Sequence, residues 1–276
     1  MILLVGDGKR ADVVHGIAQL EPLVRERVSE VNVDLDGSFD LARQAPRMVL
    51  NFGGDGSILH IARRLGENQV PILGVNFGKF GFLAEFELPD LLVRLDDALA
   101  GKLPARQSIL LKVAITQRGK SRERWAVNDV VLQHEPDGRM STVHGRYAGS
   151  EMATIVGDGV VVSTPLGSTA HNLSAGGPIL HPEVDAIVVT PICPHTLSLR
   201  PLTLPAAGPL ELWIDQGDSI RVTLDGQGTE TIAGGDRIEI SRARRNITLI
   251  THPSRSYFDT LRMKFGWSSR PISHPR

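Results

Sequence analysis

The stretch that decides the fold is MVLNFGGDGSILHIARRL, residues 48–65. Its apolar first part, Met48–Phe52, predicts a buried strand, and the apolar spacing from Ile58 to Leu65 predicts a helix with one buried face. The glycine-rich loop Gly53–Ser57 joins the two. A buried strand that turns tightly into a helix is the repeating unit of α/β layers, so this stretch predicts a layer with parallel strands.

The loop Gly53–Ser57 carries one acidic side chain, Asp55, among three glycines. With so little side-chain bulk, backbone N–H groups at the start of the helix can face phosphate oxygens. A carboxylate beside bare phosphates would be repelled, so Asp55 needs a different role, either holding magnesium or taking a proton from an attacking hydroxyl. The alternative is a helix cap formed by Asp55 or Ser57. We favour the functional interpretation, because a cap does not need three neighbouring glycines.

Strand and helix patterns alternate over the first third of the chain and then give way to strands. The predicted elements of the first third are strands at 2–5, 31–35, 48–52 and 70–75, and helices at 11–20, 58–65 and 89–100. Beyond Gly101–Pro104 most apolar runs are short and separated by turn residues, with one helix predicted at 168–175. A last helix is predicted at 257–265.

These patterns predict an α/β plus β fold. An amino-terminal α/β parallel-sheet domain, residues 1–104 together with 253–276, would carry the loop Gly53–Ser57. A mainly β carboxyl-terminal domain would span residues 105–252 and recognise the substrate. The C-terminal helix would return to the first domain.

Composition limits the class of protein. The 276 residues include 30 basic and 31 acidic side chains, which gives no reason to expect a nucleic-acid partner. The lone cysteine, Cys193, rules out an internal disulfide, and its apolar surroundings predict a small buried hydrophobe. The apolar start Met1–Gly6 is too short for a membrane span or a signal peptide. We therefore predict a cytoplasmic protein with no membrane contact.

Two further glycine motifs have phosphate-like spacing. Gly6–Ala11 fits the dinucleotide fingerprint, with Asp34 and Asp36 placed where a ribose-binding acid is expected. A tight strand-to-helix turn explains the same residues, so both interpretations stay open. Gly74–Phe80 is one residue short of a P-loop, and Phe80 replaces the magnesium-binding hydroxyl, so we reject it as one. Its glycines nevertheless predict a backbone that another group approaches closely.

The second half of the chain holds small polar residues suited to a nucleotide. Asn128 and Asp129 end or interrupt a predicted strand, and either a ribose contact or a bulge explains them. Asp158 lies between glycines, where turn chemistry alone explains it. The run from Ser163 to Pro178 is dense in hydroxyls and small side chains that can border an adenine or a ribose. No serine has the Gly-x-Ser-x-Gly spacing of a hydrolase, and no histidine pair has zinc-site spacing.

Taken together, these motifs resemble those of the NAD kinase family over most of the chain after Met48. The pieces that carry the resemblance are NFGGDGS (51–57), GVNFGKFGFLAEF (74–86), VNDVVL (127–132), GDGVVVSTPLGSTAHNLSAGGPILHP (157–182), VVTPICPHTLSLRPL (188–202), LDGQ (224–227) and SYFDTLRMKFGW (256–267). Gly-Gly-Asp-Gly alone is weak, because phosphofructokinases and lipid kinases share it. The long central run and its two neighbours are highly specific.

The resemblance implies phosphoryl transfer from ATP, or polyphosphate, to the 2′-hydroxyl of the adenosine ribose of NAD, giving NADP. Asp55 would be the general base. The implied nucleotide-binding residues are Gly54, Gly56, His60, Asn128, Asp129, Arg139, Asp158, Thr169, Ala170, His171, Ser174 and Gln227. Mg²⁺, or another divalent cation, would be carried by nucleotide phosphates, and the resemblance assigns no protein side chain to it. The family also implies a homodimer or homotetramer.

Departures from the family pattern leave alternatives open. His171 stands where a tyrosine is common, and Leu166 replaces a threonine, which can change contacts to the donor or to magnesium. Other kinases with a Gly-Gly-Asp-Gly loop would act on a lipid or a sugar, a dehydrogenase would use Gly6–Ala11, and a sensor would bind NAD without catalysis. The central run argues against the first, and the intact Asp55 argues against the last.

Overall fold

The computed structural model describes residues 1–41, 43–79, 81–134 and 140–267. Its helices are α1 (Ala11–Arg25), α2 (Asp55–Leu65), α3 (Leu88–Val93), α4 (Leu95–Leu99), α5 (His171–Ser174) and α6 (Tyr257–Phe265). Its strands are β1 (Ile2–Gly6), β2 (Val31–Asp34), β3 (Met48–Gly53), β4 (Ile72–Asn76), β5 (Ala105–Ser108), β6 (Leu111–Gln117), β7 (Lys120–Ala126), β8 (Asp129–His134), β9 (Ser141–Tyr147), β10 (Ser150–Gly157), β11 (Gly159–Ser163), β12 (Ala186–Ile192), β13 (Leu202–Pro205), β14 (Leu210–Ile214), β15 (Ser219–Leu224), β16 (Gln227–Ala233), β17 (Arg237–Arg242) and β18 (Ile247–Ile250).

The first sheet has the order β2-β1-β3-β4-β18-β5 and is parallel except for the edge strand β5. Every residue of β3 is buried, as expected for a central strand that helices cover on both faces. On one face Val13 and Ile17 of α1 pack with Leu91. On the other, Ile58 and Ile61 of α2 join the core. The predicted α/β layer is confirmed.

The remaining strands form two antiparallel sheets, with orders β10-β9-β14-β17-β6-β7 and β13-β12-β11-β8-β15-β16. Their inner faces share one hydrophobic core, in which Val113 and Leu212 of one sheet join Leu132 and Val222 of the other. This sandwich confirms the mainly β second half. The first sheet also takes in β5 and β18, one strand from each end of the range 105–252, while the domain boundaries at 104 and 253 stay predictions.

Two predicted helices and one predicted strand differ in the structure. The helix expected at 89–100 is divided into α3 and α4 at Arg94, whose backbone leaves the helical region. The helix expected at 168–175 is a 3-10 turn, Gly167–Thr169, followed by the single turn α5, because the Ser168 hydroxyl bonds Pro165 O at 2.6 Å. The strand expected at 125–132 is two strands, and Asn128 marks the crossing from β7 in one sheet to β8 in the other.

The C-terminal helix α6 has the predicted bounds and returns to the first domain. Ser256 and Asp259 form a capping box at its start, and Gly266 ends it in the left-handed conformation. The Phe265 and Phe82 rings lie 5.8 Å apart, so α6 packs on the loop that follows β4. Within the described ranges, no helix has both the length and the apolar character that crossing a bilayer requires.

Candidate active site

Asp55 is the first residue of α2, and backbone amides hold its carboxylate. Oδ2 accepts the N–H of Phe82 at 2.7 Å, and Oδ1 accepts those of Leu83 and Ala84 at 3.0 and 3.1 Å. The alternative of a helix cap is wrong for both candidates: Gly54 is the N-cap residue, and the Ser57 hydroxyl donates to Gly54 O instead of accepting an amide. The carboxylate is therefore anchored across the sheet edge to residues 82–84.

The glycines beside Asp55 fall into two kinds. A Cβ on Gly53 would lie 2.4 Å from the Ser57 hydroxyl, and one on Gly81 would lie 2.0 Å from Asp55 Oδ1, so packing requires glycine at both. A Cβ on Gly54 or Gly56 would meet no described heavy atom within 4 Å. Neither has a positive φ. Internal packing and backbone conformation therefore leave these two glycines unexplained, and the space where their side chains would stand is open to a ligand.

Asn128 and Asp129 lie where β8 begins, and the carboxylate of Asp225 binds their backbone N–H groups. The Asp225 Oδ1 accepts the N–H of Asn128 at 2.7 Å and that of Asp129 at 3.2 Å, and Oδ2 accepts that of Val127 at 3.0 Å. Arg63 Nε lies 3.8 Å from Asp225 Oδ2. The Asp225 side chain is fully buried, whereas Asn128 is half-buried.

The two buried carboxyls Asp129 and Asp225 cannot both ionise easily. Burial, and then the charge of Asp225, raises the pKa of Asp129 to about 7. Burial also raises the pKa of Asp225, and the three backbone N–H groups and Arg63 offset that rise only in part. Because those donors favour the charged form of Asp225, Asp129 is the member that takes the proton.

This pair predicts a stability that depends on pH. Folded Asp129 keeps its proton between pH 3.8 and about 7, where the unfolded chain loses it. Its contribution is therefore complete below pH 3.8 and lost as the pH rises through about 7. We expect the free energy of unfolding of the wild type, minus that of Asp129→Asn, to fall by up to about 1.4 kcal/mol per pH unit in this window. Urea titrations at several pH values measure it; a constant difference, as expected for the control Asp218→Asn at an exposed aspartate, would contradict it.

Thr164–Ser174 folds against the Asn128 segment. The Thr164 hydroxyl donates to Val127 O at 2.6 Å, and the Thr164 N–H donates to Asn128 O at 2.8 Å. Buried Asn172 accepts the Thr190 hydroxyl at 2.6 Å and holds the loop from inside. Thr169 and Ala170 are half-buried, and His171 and Ser174 are exposed. Leu166 is buried in the core beside α2, so its side chain is not offered to a ligand.

Gln227 lies beside α2, and His60 is a residue of that helix. Arg63 donates to Gln227 Oε1 and, at 3.0 Å, to Leu224 O, which joins α2 to the β15–β16 turn. His60 lines two cavities of about 670 and 640 Å³. Partial desolvation, and then Arg64 and Arg63, lowers its pKa. Among the described residues, Asp55 and Asn128 line neither of these cavities.

Asp158 does not lie with the other predicted residues. It precedes β11, whose other end pairs with Asp129, and five residues of strand separate the two ends by about 13 Å. Its carboxylate is 3.5 Å from His134 Nε2 and raises the pKa of the Cys193 thiol through a hydrogen bond. The prediction of a buried Cys193 is wrong: the residue is exposed in a turn after β12, with φ of 44°. Arg139 lies outside the described residues.

Comparison with known proteins identifies the family. The model of the ATP-NAD kinase N-terminal domain matches residues 28–103, and that of the C-terminal domain matches residues 127–252. The chain belongs to the ATP-NAD kinase family. The NAD kinase of Thiobacillus denitrificans is 41% identical over 84% of this chain and 80% of its own. That of Rhodopirellula baltica is 35% identical over 98% of this chain and 87% of its own. The chain is thus an NAD kinase.

Solved structures share the NAD kinase fold. Yeast NADH kinase complexed with NADH superposes with a TM-score of 0.87 at 22% identity, covering 99% of this chain and 90% of the other. An NAD kinase from Archaeoglobus fulgidus in complex with ATP gives 0.76 at 24% identity, covering 96% and 98%. At these identities the likeness extends to the fold alone.

Several residues that build this candidate site were missed in the sequence. Asp225 and Arg63 hold Asn128 and Gln227, and the amides of residues 82–84 hold Asp55. The LDGQ motif contains Asp225, but an acid beside a glycine is also ordinary turn chemistry, so the motif did not single it out. Arg63 gave no signal, because a helical arginine is usually solvated.

Proposed function

We propose that the chain transfers a phosphoryl group from ATP, or polyphosphate, to the 2′-hydroxyl of the adenosine ribose of NAD, giving NADP, with Asp55 as general base. The observation that carries this proposal is the open space where side chains would stand on Gly54 and Gly56, next to the anchored carboxylate of Asp55. Phosphates in this space would also meet the positive field at the start of α2. Phosphoryl transfer needs such a cradle together with a positioned proton acceptor.

The donor would occupy the larger cavity, at the carboxyl ends of β1 and β3. Gly6–Lys9 line it on one side, and Ser57 and His60 of α2 on the other. Ligands of open parallel sheets bind at this edge, between strands whose connections leave in opposite directions. The yeast kinase complexed with NADH and the Archaeoglobus enzyme in complex with ATP support testing NADH as well as NAD, and ATP as donor.

Asp55 has room for one further hydrogen bond. A carboxylate offers about four lone-pair positions. Oδ1 already accepts two N–H groups and Oδ2 accepts one, so the free position is on Oδ2. The attacking ribose hydroxyl would donate its proton there as its oxygen bonds the terminal phosphorus of the donor, while the bond from that phosphorus to the bridging oxygen breaks and ADP, or the shortened polyphosphate, leaves. The amides of Phe82–Ala84 would keep the carboxylate in place during that transfer.

The acceptor NAD would lie against the cluster that includes Asn128, Asp129 and Gln227. Thr169, Ala170, His171 and Ser174 would form the wall next to it, and all four are at least partly accessible. Asp158, at the far end of β11, would reach NAD from a second copy of the chain in a homodimer or homotetramer. A cytoplasmic location fits the single cysteine.

A divalent cation fits this site if phosphates supply most of its ligands. Among the described residues no group of three or more His, Cys, Asp or Glu side chains could hold a metal ion. Asn51, which lines the donor cavity, has a buried Oδ1 with no hydrogen-bond partner in the described structure. Mg²⁺ takes one or two protein oxygens together with nucleotide phosphates, and Asn51 Oδ1 would be one of them. The cation would neutralise charge on the phosphoryl group.

Product formation tests the proposal. The purified protein is incubated with NAD and either Mg-ATP or polyphosphate, and the product is measured with an NADP-specific dehydrogenase. Such an enzyme distinguishes the 2′-phosphate from a 3′-phosphate. We expect NADP with at least one donor, and none with EDTA. Formation of the 3′ isomer, or full activity in EDTA, would contradict the proposal, and NADH in place of NAD measures the acceptor preference.

A further inference from the structure

The backbone of the segment Val127–Asp129 is hydrogen-bonded on both sides. Its N–H groups donate to the carboxylate of Asp225, which is fully buried and has a left-handed φ of 51°. The carbonyls of Val127 and Asn128 accept from Thr164, at 2.6 and 2.8 Å, and the Asp129 carbonyl accepts the N–H of Asp225 at 3.0 Å. A Cβ on Gly167 would lie 2.0 Å from Asn128 O. These contacts together fix the position of the backbone at Asn128.

Arg63 connects Asp225, and through it the segment Val127–Asp129, to the helix that carries Asp55. Its guanidinium lies 3.8 Å from the Asp225 carboxylate and donates to Leu224 O and to Gln227. Arg63 is eight residues after Asp55 on α2, which is about 12 Å along the helix axis. A single rigid helix thus joins the phosphate loop at one end to the β15–β16 turn two turns later.

We infer that Arg63 and Asp225 are positioning residues that fix the acceptor-binding segment Asn128–Asp129 and Gln227 relative to Asp55. The inference rests on the proposed assignment of Asn128 and Gln227 to NAD. Neither Arg63 nor Asp225 needs to touch a substrate. Their role is to hold two parts of the site, carried by different sheets, at a constant separation, which in-line transfer requires.

The charge of Asp225 is essential to this role. A buried carboxylate is costly unless donors surround it, and three N–H groups and a guanidinium do so here. Asparagine at this position would keep the shape but offers one acceptor oxygen for the three amides and loses the attraction to Arg63. Val127–Asp129 would then gain freedom, and NAD would have to order it on binding.

Steady-state kinetics of the full-length enzyme test this inference with Asp225→Asn, Arg63→Met and the double variant. We expect each single variant to raise KM for NAD on the order of tenfold, while KM for the donor stays within about twofold. The double variant should be little worse than the worse single one, because both act through one contact. Matched controls are Asp215→Asn, an exposed aspartate, and Arg25→Met, an exposed helical arginine.

The outcomes separate the possibilities. Unchanged KM for NAD in folded Asp225→Asn, or a lower Tm and active fraction with KM unaltered, overturns the positioning role. If Asp225→Asn does not fold, Arg63→Met and its conservative counterpart Arg63→Lys decide: KM must rise in the first and recover in part in the second. Asn128→Ala serves as the reference for the site itself. If Asn128→Ala also leaves KM for NAD unchanged, the proposed acceptor site fails. If KM for NAD rises in Asn128→Ala but not in Asp225→Asn, only the positioning role of Arg63 and Asp225 is refuted.

Discussion

Replacing Asp55 with asparagine is expected to lower kcat by a factor on the order of 10²–10⁴, with NAD binding retained. The substitution removes the group that takes the ribose proton and leaves a side chain of the same shape. It also has a structural cost, because an amide has one acceptor oxygen for the N–H groups of Phe82, Leu83 and Ala84. We therefore expect a lower Tm as well, by a few degrees.

Measuring kcat, the Kd for NAD and the Tm on the same protein separates chemistry from folding. Asp97→Asn is the matched control, because Asp97 occupies the first turn of α4 as Asp55 occupies that of α2. It removes the same favourable interaction with a helix dipole without touching the site. Near-normal kcat for Asp55→Asn would exclude Asp55 as the base. Loss of NAD binding in parallel with kcat would assign it to substrate binding.

The strand–loop–helix unit was predictable because its pattern is local. Met48–Phe52 and the apolar face of α2 identify a buried strand and helix without reference to the rest of the chain. The same holds for α6, whose capping box and final glycine lie within the helix and its ends. The prediction of a helix at 168–175 was wrong, and the reason is also local: hydroxyls that bond backbone carbonyls compete with helical hydrogen bonds.

The partners within the site could not be predicted, since they are distant in sequence. Asp225 and Asn128 are separated by 97 positions and meet because β15 pairs with β8. The motif 74–80 is an intermediate case. Its glycines indicated close approach by some group, but not which one: a Cβ on Gly74 would lie 2.6 Å from Ile58 Cδ1 and 2.8 Å from Ala84 Cα, whereas one on Gly78 would meet no described heavy atom within 4 Å. At Gly81, one residue beyond the motif, the approaching group is the Asp55 side chain, and only the pairing of β3 with β4 brings it there.

Gly81→Ala is expected to lower kcat on the order of 10²-fold, because it displaces Asp55 without changing its chemistry. The new Cβ would lie 2.0 Å from Oδ1 and 2.3 Å from Cγ, so the carboxylate or the loop must move. Either movement breaks the hydrogen bonds from residues 82–84. The φ of Gly81 is not in the left-handed region, so alanine adds no backbone strain there, and the effect comes from the contact with Asp55.

Gly78→Ala is the control for that variant. It changes a glycine three residues earlier in the same loop, where a Cβ would meet no described heavy atom within 4 Å, and kcat should stay within about twofold. Combining Gly81→Ala with Asp55→Asn gives the stricter test. If Gly81 acts only through the position of the Asp55 carboxylate, the double variant loses little more than Asp55→Asn alone, since residues that act as a unit are not additive. Multiplying losses would instead mean that the loop after β4 contributes to catalysis independently of the base that it holds.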